Sequence, residues 1–395
     1  MQPLLLVLDV GTTGVKAFVF DAKLKQHAKA YAAYPIHAPK KGWVEQDPKA
    51  IVHASIHVIR QAVKQSHVPL SRIASMGITN QRETTIVWDT KNGKPIYPAI
   101  VWEDVRTMAA CASLKRRSGK AVRLLSGLTL DPYFSASKIA WILDNIPHAR
   151  TLADCGRLRF GTVDTWLMAN LCENAPHYTD TTNASRTMLM DIRTGAWSQD
   201  LLSIFNIPPS VLPEIHPSAY NFGVLKKDVL GRSIPLTAVC GDQQSSHYAA
   251  TMLSRGRGPV TKVTYGTGVF VSQSLGKKIV LVDDFFTTVI PSKTGIEYAL
   301  EAKVCVSGPD VMKRIKHPQE LKRYFYTLAK RVNTYLTHLP KTPSKIIIDG
   351  GSSRDGLILL IQEEVSGIPT EPLMSYDGTA LGTALLQIGA CLPVR

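Results

Sequence analysis

Short runs of this chain carry the residue types that phosphate chemistry uses. Leu8-Asp9-Val10-Gly11-Thr12-Thr13-Gly14-Val15 sets a carboxylate just before a Gly-Thr turn. Val263-Thr264-Tyr265-Gly266-Thr267-Gly268-Val269 repeats the turn past the middle of the chain, and Ile346-Ile347-Ile348-Asp349-Gly350-Gly351-Ser352-Ser353 ends another apolar strand in a glycine pair. Glycine lets a backbone approach an anion, and successive N–H groups form an anion-binding nest. A tight hairpin uses the same residues, so one such turn alone says little. Gly241-Asp242-Gln243-Gln244 closes a further apolar segment with a carboxylate. Asp242 can cap a helix, or act as a general base toward a hydroxyl. Asp9 can cap a turn, or hold Mg²⁺ through water. No G-x-x-x-x-G-K-[ST] and no G-x-G-x-x-G occurs, which closes the P-loop and Rossmann routes to a nucleotide.

The elements that position these runs are legible from pattern. Leu4–Asp21 reads as strand, turn, strand. Asp47-Pro48 marks a helix start, and Ile51, Ile56, Val58, Ile59, Ala62 and Val63 supply its apolar face. A buried strand is expected at Ile73–Ile78, and a hairpin of Thr84–Asp89 with Pro95–Trp102 around Asn92-Gly93. Ser135–Asn145, residues 319–339 and Leu357–Val365 read as helices, the second apolar on one face and basic on the other. Leu236–Cys240 reads as a strand. Two similar Gly-Thr hairpins, one in each half, suggest a duplicated architecture. That pattern fits the two-domain actin-like ATPase arrangement, in which one hairpin from each domain grips the nucleotide phosphates.

The chain has 395 residues, 45% apolar and 19% charged, an ordinary globular composition for which two domains are the default. Collagen-like, coiled-coil and disulfide-scaffold classes are excluded. No apolar run reaches the roughly 20 residues of a membrane span. The short apolar start at Leu4–Leu8 reads as a strand and not as a signal peptide. The six cysteines are far apart without a C-x-x-C pair, which argues for a reducing, cytoplasmic setting. The sequon Asn183-Ala184-Ser185 is read as chance. A formal charge of +15 points to an anionic partner. Nine Lys/Arg face one acidic residue, Glu320, between Val311 and Lys345, and Lys115, Arg116, Arg117, Lys120 and Arg123 form a second cluster. With no aromatic platform or zinc finger among them, nucleic acid is not the expected partner.

Longer runs carry a resemblance. They include Asp9–Thr13, Gly42-Trp43-Val44-Glu45, Gly77-Ile78-Thr79-Asn80-Gln81-Arg82-Glu83-Thr84-Thr85, Ala99–Trp102, Asp131-Pro132-Tyr133-Phe134-Ser135, Phe160–Trp166, Asn183-Ala184-Ser185-Arg186-Thr187-Met188, Gly241–Gln244 and Thr264–Gly268. Lys138 and Trp141 also fall in place. The chain resembles the FGGY carbohydrate kinases, and most of all their glycerol-phosphorylating members, from Leu4 to about Gly308 and again from about Glu320. The resemblance implies an α/β, two-domain actin-like ATPase (ribonuclease H-like) fold, with domains at 1–237 and 238–395 and the second one truncated. It implies ATP and Mg²⁺ as cofactors and a small polyol, glycerol, as substrate.

Residue by residue, it gives Asp242 the role of base. Arg82, Glu83 and Tyr133 would bond substrate hydroxyls, Trp102 and Phe270 would pack on its carbons, and Gln243 would lie beside Asp242. Thr12, Thr13, Gly14, Lys16, Gly266, Thr267, Gly308, Gly351 and Asp355 would contact the nucleotide. Asp9 and Asp242 would hold the metal. Departures from the family pattern are Val10, Gly14, Lys16, Glu103, Val105, Met312 and Asp355, and a long stretch is skipped between Arg314 and Glu320. These leave open a non-catalytic polyol- or nucleotide-binding protein, and a kinase for another small polyol or ketose. Membrane insertion is not expected, and a homo-oligomer is possible.

Overall fold

The computed structural model describes residues 3–254, 258–266, 268–306, 308–314, 316–354 and 356–391. By compactness the chain forms two units, residues 1–244 with 383–395, and residues 245–382.

In the first unit, β1 (Leu4–Val10) and β2 (Gly14–Asp21) form the expected hairpin, in register from Leu4 opposite Asp21 to Val10 opposite Val15. β3 (Gln26–Ala33) continues it antiparallel. β4 (Ile73–Asn80) lies parallel to β1 on the other side. β5 (Ala219–Val224) and β6 (Pro235–Gly241) complete the order β5-β6-β4-β1-β2-β3. Every residue of β1 is buried, which is why its sequence is apolar apart from Asp9 and not an alternation. Helix α1 (Pro48–Gln65) starts as its sequence dictates: the Asp47 carboxylate accepts from the Lys49 N–H, and Pro48 opens the first turn. Its apolar face joins the core under β1 and β2.

The hairpin around Asn92-Gly93 forms as expected, with one interruption in its ladder. Ile86–Asp89 pairs with Lys94–Pro95 on one side and Leu158–Gly161 on the other. The far end of the hairpin closes where Thr85 and Ile100 exchange N–H···O bonds at 2.9 and 3.0 Å, while Ala99–Ile100 also pairs with Glu45–Gln46. Pro98 has no N–H to give, so the ladder breaks there. Helix α2 (Ser135–Asn145) has the predicted bounds.

In the second unit the same frame recurs. Its strands are β7 (Thr261–Tyr265), β8 (Gly268–Gly276), β9 (Phe286–Ile290), β10 (Glu297–Val306), β11 (Ile346–Asp349) and β12 (Thr370–Pro372), in the order β9-β10-β8-β7-β11-β12. β7, β8 and β10 are antiparallel neighbours, and β11 and β12 run parallel beyond β7. That reproduces β1, β2, β3, β4 and β6 position for position, so the duplication read from two hairpins extends to the sheets.

The helices are α3 (Asp242–Leu253), α4 (Gly308–Arg314), α5 (Pro318–Thr337), α6 (Leu357–Ser366) and α7 (Gly378–Cys391). α5 buries Leu321, Phe325, Leu328, Val332 and Leu336, while Lys322, Arg323, Lys330 and Arg331 stay exposed. Where the family pattern has a long stretch, the His317 N–H before α5 reaches the carbonyl of Arg314, the last residue of α4, at 2.8 Å.

The domain boundary expected after residue 237 falls inside β6, a strand of the first sheet. The end of α7 belongs to the first unit, where Gln387 accepts from Ser75 Oγ at 2.8 Å and donates to the Leu6 carbonyl at 3.2 Å. Asn183 of the sequon is buried and bonded to Asn80 and Asp180. No helix among the described residues is long and apolar enough to cross a membrane.

Candidate active site

The end of β4 delivers a row of alternating charges. Asp242 Oδ1 lies 3.1 Å from Arg82 Nε, and Arg186 Nε donates to Glu83 Oε1 at 2.6 Å. Between these pairs, Arg82 Nε is 3.9 Å from Glu83 Oε1. Arg82 also donates from Nη1 to Gln244 Oε1 at 3.0 Å. Arg82, Glu83 and Arg186 are almost fully buried, so this is no surface ion pair. Asp242, at the start of α3, is different: 28% of its side chain remains open. Burial pushes its carboxyl up to about 6; Arg82 and the Gln243 N–H oppose the rise, and Glu83 and Asp9 add to it.

The local backbone is built for this row. Glu83 sits at φ +62°, a left-handed conformation that a non-glycine residue holds only when its surroundings over-determine it. Here the hydroxyls of Thr85 and Ser135 both donate to its carbonyl at 3.0 Å. A Cβ on Gly241 would lie 2.7 Å from Arg82 Cδ, so glycine before Asp242 makes room for the arginine. The Gly241 N–H is fixed in turn by Thr182 Oγ1 at 2.8 Å, and that hydroxyl donates to Asp180.

Trp102 and Tyr133 form an aromatic wall, ring centroids 5.6 Å apart at 75°. Tyr133 is positioned by buried Lys138, whose ammonium donates to the carbonyls of Pro132, Tyr133 and Phe134. Burial lowers that lysine to about 8. The Arg186 guanidinium lies 4.9 Å from the Phe134 ring and 5.4 Å from Tyr133. The loop after Trp102 is anchored by Arg106, bonded at 2.7 Å to both Glu45 and Asp104 and stacked 3.8 Å over Trp43 and 4.7 Å over Trp141. The Gly42–Glu45 run and Trp141 therefore act as scaffold. Sequence reasoning gave no role to Arg106 or Arg186. Arg186 stands as a bulky charge inside the otherwise small and polar run Asn183–Met188, whereas Arg106 lies outside every motif run.

The first turn is tied from several sides. Trp102 Nε1 donates to Thr12 Oγ1 at 2.8 Å, which leaves that hydroxyl's own proton for another acceptor. Gln46 Nε2 donates to the Thr12 carbonyl at 2.6 Å and is itself held by Gln81 at 2.9 Å. The Tyr34 hydroxyl donates to the Gly11 carbonyl, and Tyr31 reaches that of Thr13 at 3.5 Å. A Cβ on Gly14 would come within 2.6 Å of the Ala32 carbonyl, so packing alone demands glycine there. Asp9 and Lys16, opposite each other on β1 and β2, are 3.8 Å apart.

In the second unit, the turn after β7 closes with the Gly266 N–H on the Gly268 carbonyl at 3.1 Å. Gly350 has φ +100°, and a Cβ there would lie 2.4 Å from the Tyr265 carbonyl, so the third turn lies hard against the second. Gly351 faces open space. Asp349 is fully engaged: Thr264 Oγ1 bonds it at 2.6 Å, buried Lys262 lies at 3.3 Å, and Ser246 donates to its other oxygen. Phe270 is buried in β8 over Gly268, where a Cβ would meet its ring at 2.6 Å. Gly308 opens α4. Thr267 and Asp355 lie outside the described residues, as does the side chain of Met312. No group of three or more His, Cys, Asp or Glu among the described residues is placed to hold a metal by itself.

Similar proteins share this frame. A glycerol kinase of Thermococcus kodakarensis is 40% identical over 342 residues, 85% of this chain and 68% of that protein. One of Ralstonia pickettii is 36% identical over 443 residues, covering 97% of this chain and 88% of its own length. That alignment is longer than the chain itself, as an internal deletion here requires. The crystal structure of Plasmodium falciparum glycerol kinase with ADP superposes with a TM-score of 0.89 at 28% identity, over 98% of this chain and 90% of that one. The model of the FGGY family of carbohydrate kinases, N-terminal domain, matches residues 4–248, and the chain belongs to that family.

Proposed function

We propose that this chain phosphorylates a terminal hydroxyl of glycerol with ATP. The row Asp242–Arg82–Glu83–Arg186, with its one open carboxylate, carries the reading. A small polyol offers hydroxyls that donate and accept, so it suits a buried Arg beside a buried Glu, with Trp102 and Tyr133 as an apolar wall for its carbons. Asp242 accepts the proton of the attacking hydroxyl. That oxygen bonds the γ-phosphorus, the bond to the β–γ bridging oxygen breaks, and ADP leaves. A base poised near 6 is ionised at neutral pH and still a useful proton acceptor.

Backbone N–H groups of the turns and the Thr12, Thr13 and Thr267 hydroxyls are assigned to the phosphates, and Lys16, Gly308, Gly351 and Asp355 to the rest of the nucleotide. Positioning and electrostatics supply most of the rate in such transfers. Asp9 and Asp242 suit Mg²⁺ that arrives with the nucleotide, since that ion takes one or two carboxylates and keeps much of its water. When bound, it neutralises charge on the phosphates. The identity of the relatives as glycerol kinases supports the substrate, and the ADP in one of them supports the nucleotide.

The test is coupled ADP release with Mg²⁺-ATP and glycerol, beside Asp242→Asn and a panel of small polyols and ketoses. Glycerol-dependent turnover that disappears in the variant is the expected result. Glycerol binding without turnover would turn the reading to a non-catalytic binding protein.

A further inference from the structure

A cavity of about 730 Å³ lies wholly within the second unit, away from the glycine turns. It is of the size that takes a small organic ligand. Its walls are apolar where Val260, Leu275, Ile290 and Pro291 meet, and Lys277, Lys278, Lys293 and Lys341 surround them. Glu297 also lines it, but that carboxylate is already bonded at 2.9 Å to Ser292 and at 3.3 Å to Thr294. None of the four lysines has an ion-pair partner among the described residues. Like charges gathered around an apolar hollow repel one another, and an anion seated there relieves the repulsion.

A second feature lies in the wall. Gln273 is buried, and its Nε2 donates to Thr261 Oγ1 at 3.0 Å and to the Lys341 carbonyl at 2.7 Å. Its Oε1 is buried with no hydrogen-bond partner among the described residues. A buried acceptor left without a donor costs about 1–3 kcal/mol.

We propose that this cavity is a binding site for a small organic anion: an apolar, flat body carrying one carboxylate, sulfonate or phosphate group. The site stands whether or not the chain phosphorylates glycerol. Its wall includes Tyr248, Thr251 and Met252 of α3, the helix that begins at Asp242. An occupant therefore touches the element that carries the open carboxylate.

The probe is the fluorescent aromatic anion anilinonaphthalene sulfonate, titrated into the full chain, with uncharged N-phenylnaphthylamine as its neutral counterpart. One saturable site is expected for the anion, weakened about tenfold by Lys277→Glu with Lys293→Glu and by raised salt, and absent for the neutral probe. Thr251→Trp fills the hollow and should displace the anion without touching a lysine. Circular dichroism melting confirms that each variant is folded. If that tryptophan variant melts early, the lysine pair, on exposed side chains, still decides the matter. Anion binding that survives the lysine variant, or equal binding of both probes, would overturn the proposal.

Discussion

The two Gly-Thr hairpins occupy equivalent places in two equivalent sheets, yet their carboxylates sit on different strands. In the first unit Asp9 of β1 faces Thr79 of β4 in register. In the second the pair is reversed: Thr264 of β7 faces Asp349 of β11. The environments differ accordingly. Asp9 lies 3.8 Å from Lys16 across the hairpin. Asp349 is closed in by Lys262, Thr264 and Ser246. The same backbone frame thus carries its carboxylate on β1 beside a lysine in one unit, and on β11 among a lysine and two hydroxyls in the other. Sequence alone set Asp9, Asp242 and Asp349 each at the end of an apolar strand; the structure shows what surrounds each.

The comparison is broken most directly by exchanging Asp for Asn in each unit. Asp242→Asn should cut turnover by roughly 10²–10⁴ with glycerol still bound, read by coupled assay and calorimetry. Asp349→Asn should instead cost about 1–3 kcal/mol of stability, since it removes the buried negative charge that faces Lys262 and accepts from Thr264 and Ser246, and a denaturant melt reads that loss. A stable Asp349→Asn protein with no turnover would show that both carboxylates do chemistry, and the contrast would fall.

Glycine substitutions sharpen the same contrast at the turns. Gly350→Ala puts a Cβ against the Tyr265 carbonyl at a positive φ and should cost about 2 kcal/mol or more. Gly266→Ala meets nothing closer than 3.7 Å and should cost under about 1 kcal/mol. Equal melting temperatures for the two variants would contradict this account of the turn contact.

The smallest expected effect is a shift in pH dependence. Asp242 must be ionised to accept a proton, so kcat/KM should rise with pH through about 6. Arg82 holds that carboxyl down. Arg82→Met removes the cation, so the acid limb should move to higher pH, whatever the loss in absolute rate. A limb that stays in place, measured with saturating nucleotide, would mean that another group sets it.

Much of the frame was readable in advance because its signals are local. Asp47-Pro48 dictates a helix start wherever it occurs, and Pro98 forbids a ladder bond in any context. Buried β1 announces itself by the apolar run Leu4–Leu8. Lys262, Arg106 and Arg186 gave no such signal. Each is a charged side chain in the interior, and its role depends on partners 61 to 103 positions away, such as Asp349, Glu45 and Glu83. The skipped stretch was visible as a gap in a pattern, but the bond from the His317 N–H to the Arg314 carbonyl was not.

The sequence by itself determined the strands, the duplicated Gly-Thr hairpins, the polyol-type Arg-Glu pair and the carboxylate at the head of α3, because those depend on residue type and near neighbours. Only the tertiary structure decided which carboxylate is open and which is locked, why Gly14, Gly241 and Gly350 must lack a side chain, and where four lysines gather around an apolar hollow. Burial and the distance between charges set those properties, and both come into being only when distant segments meet.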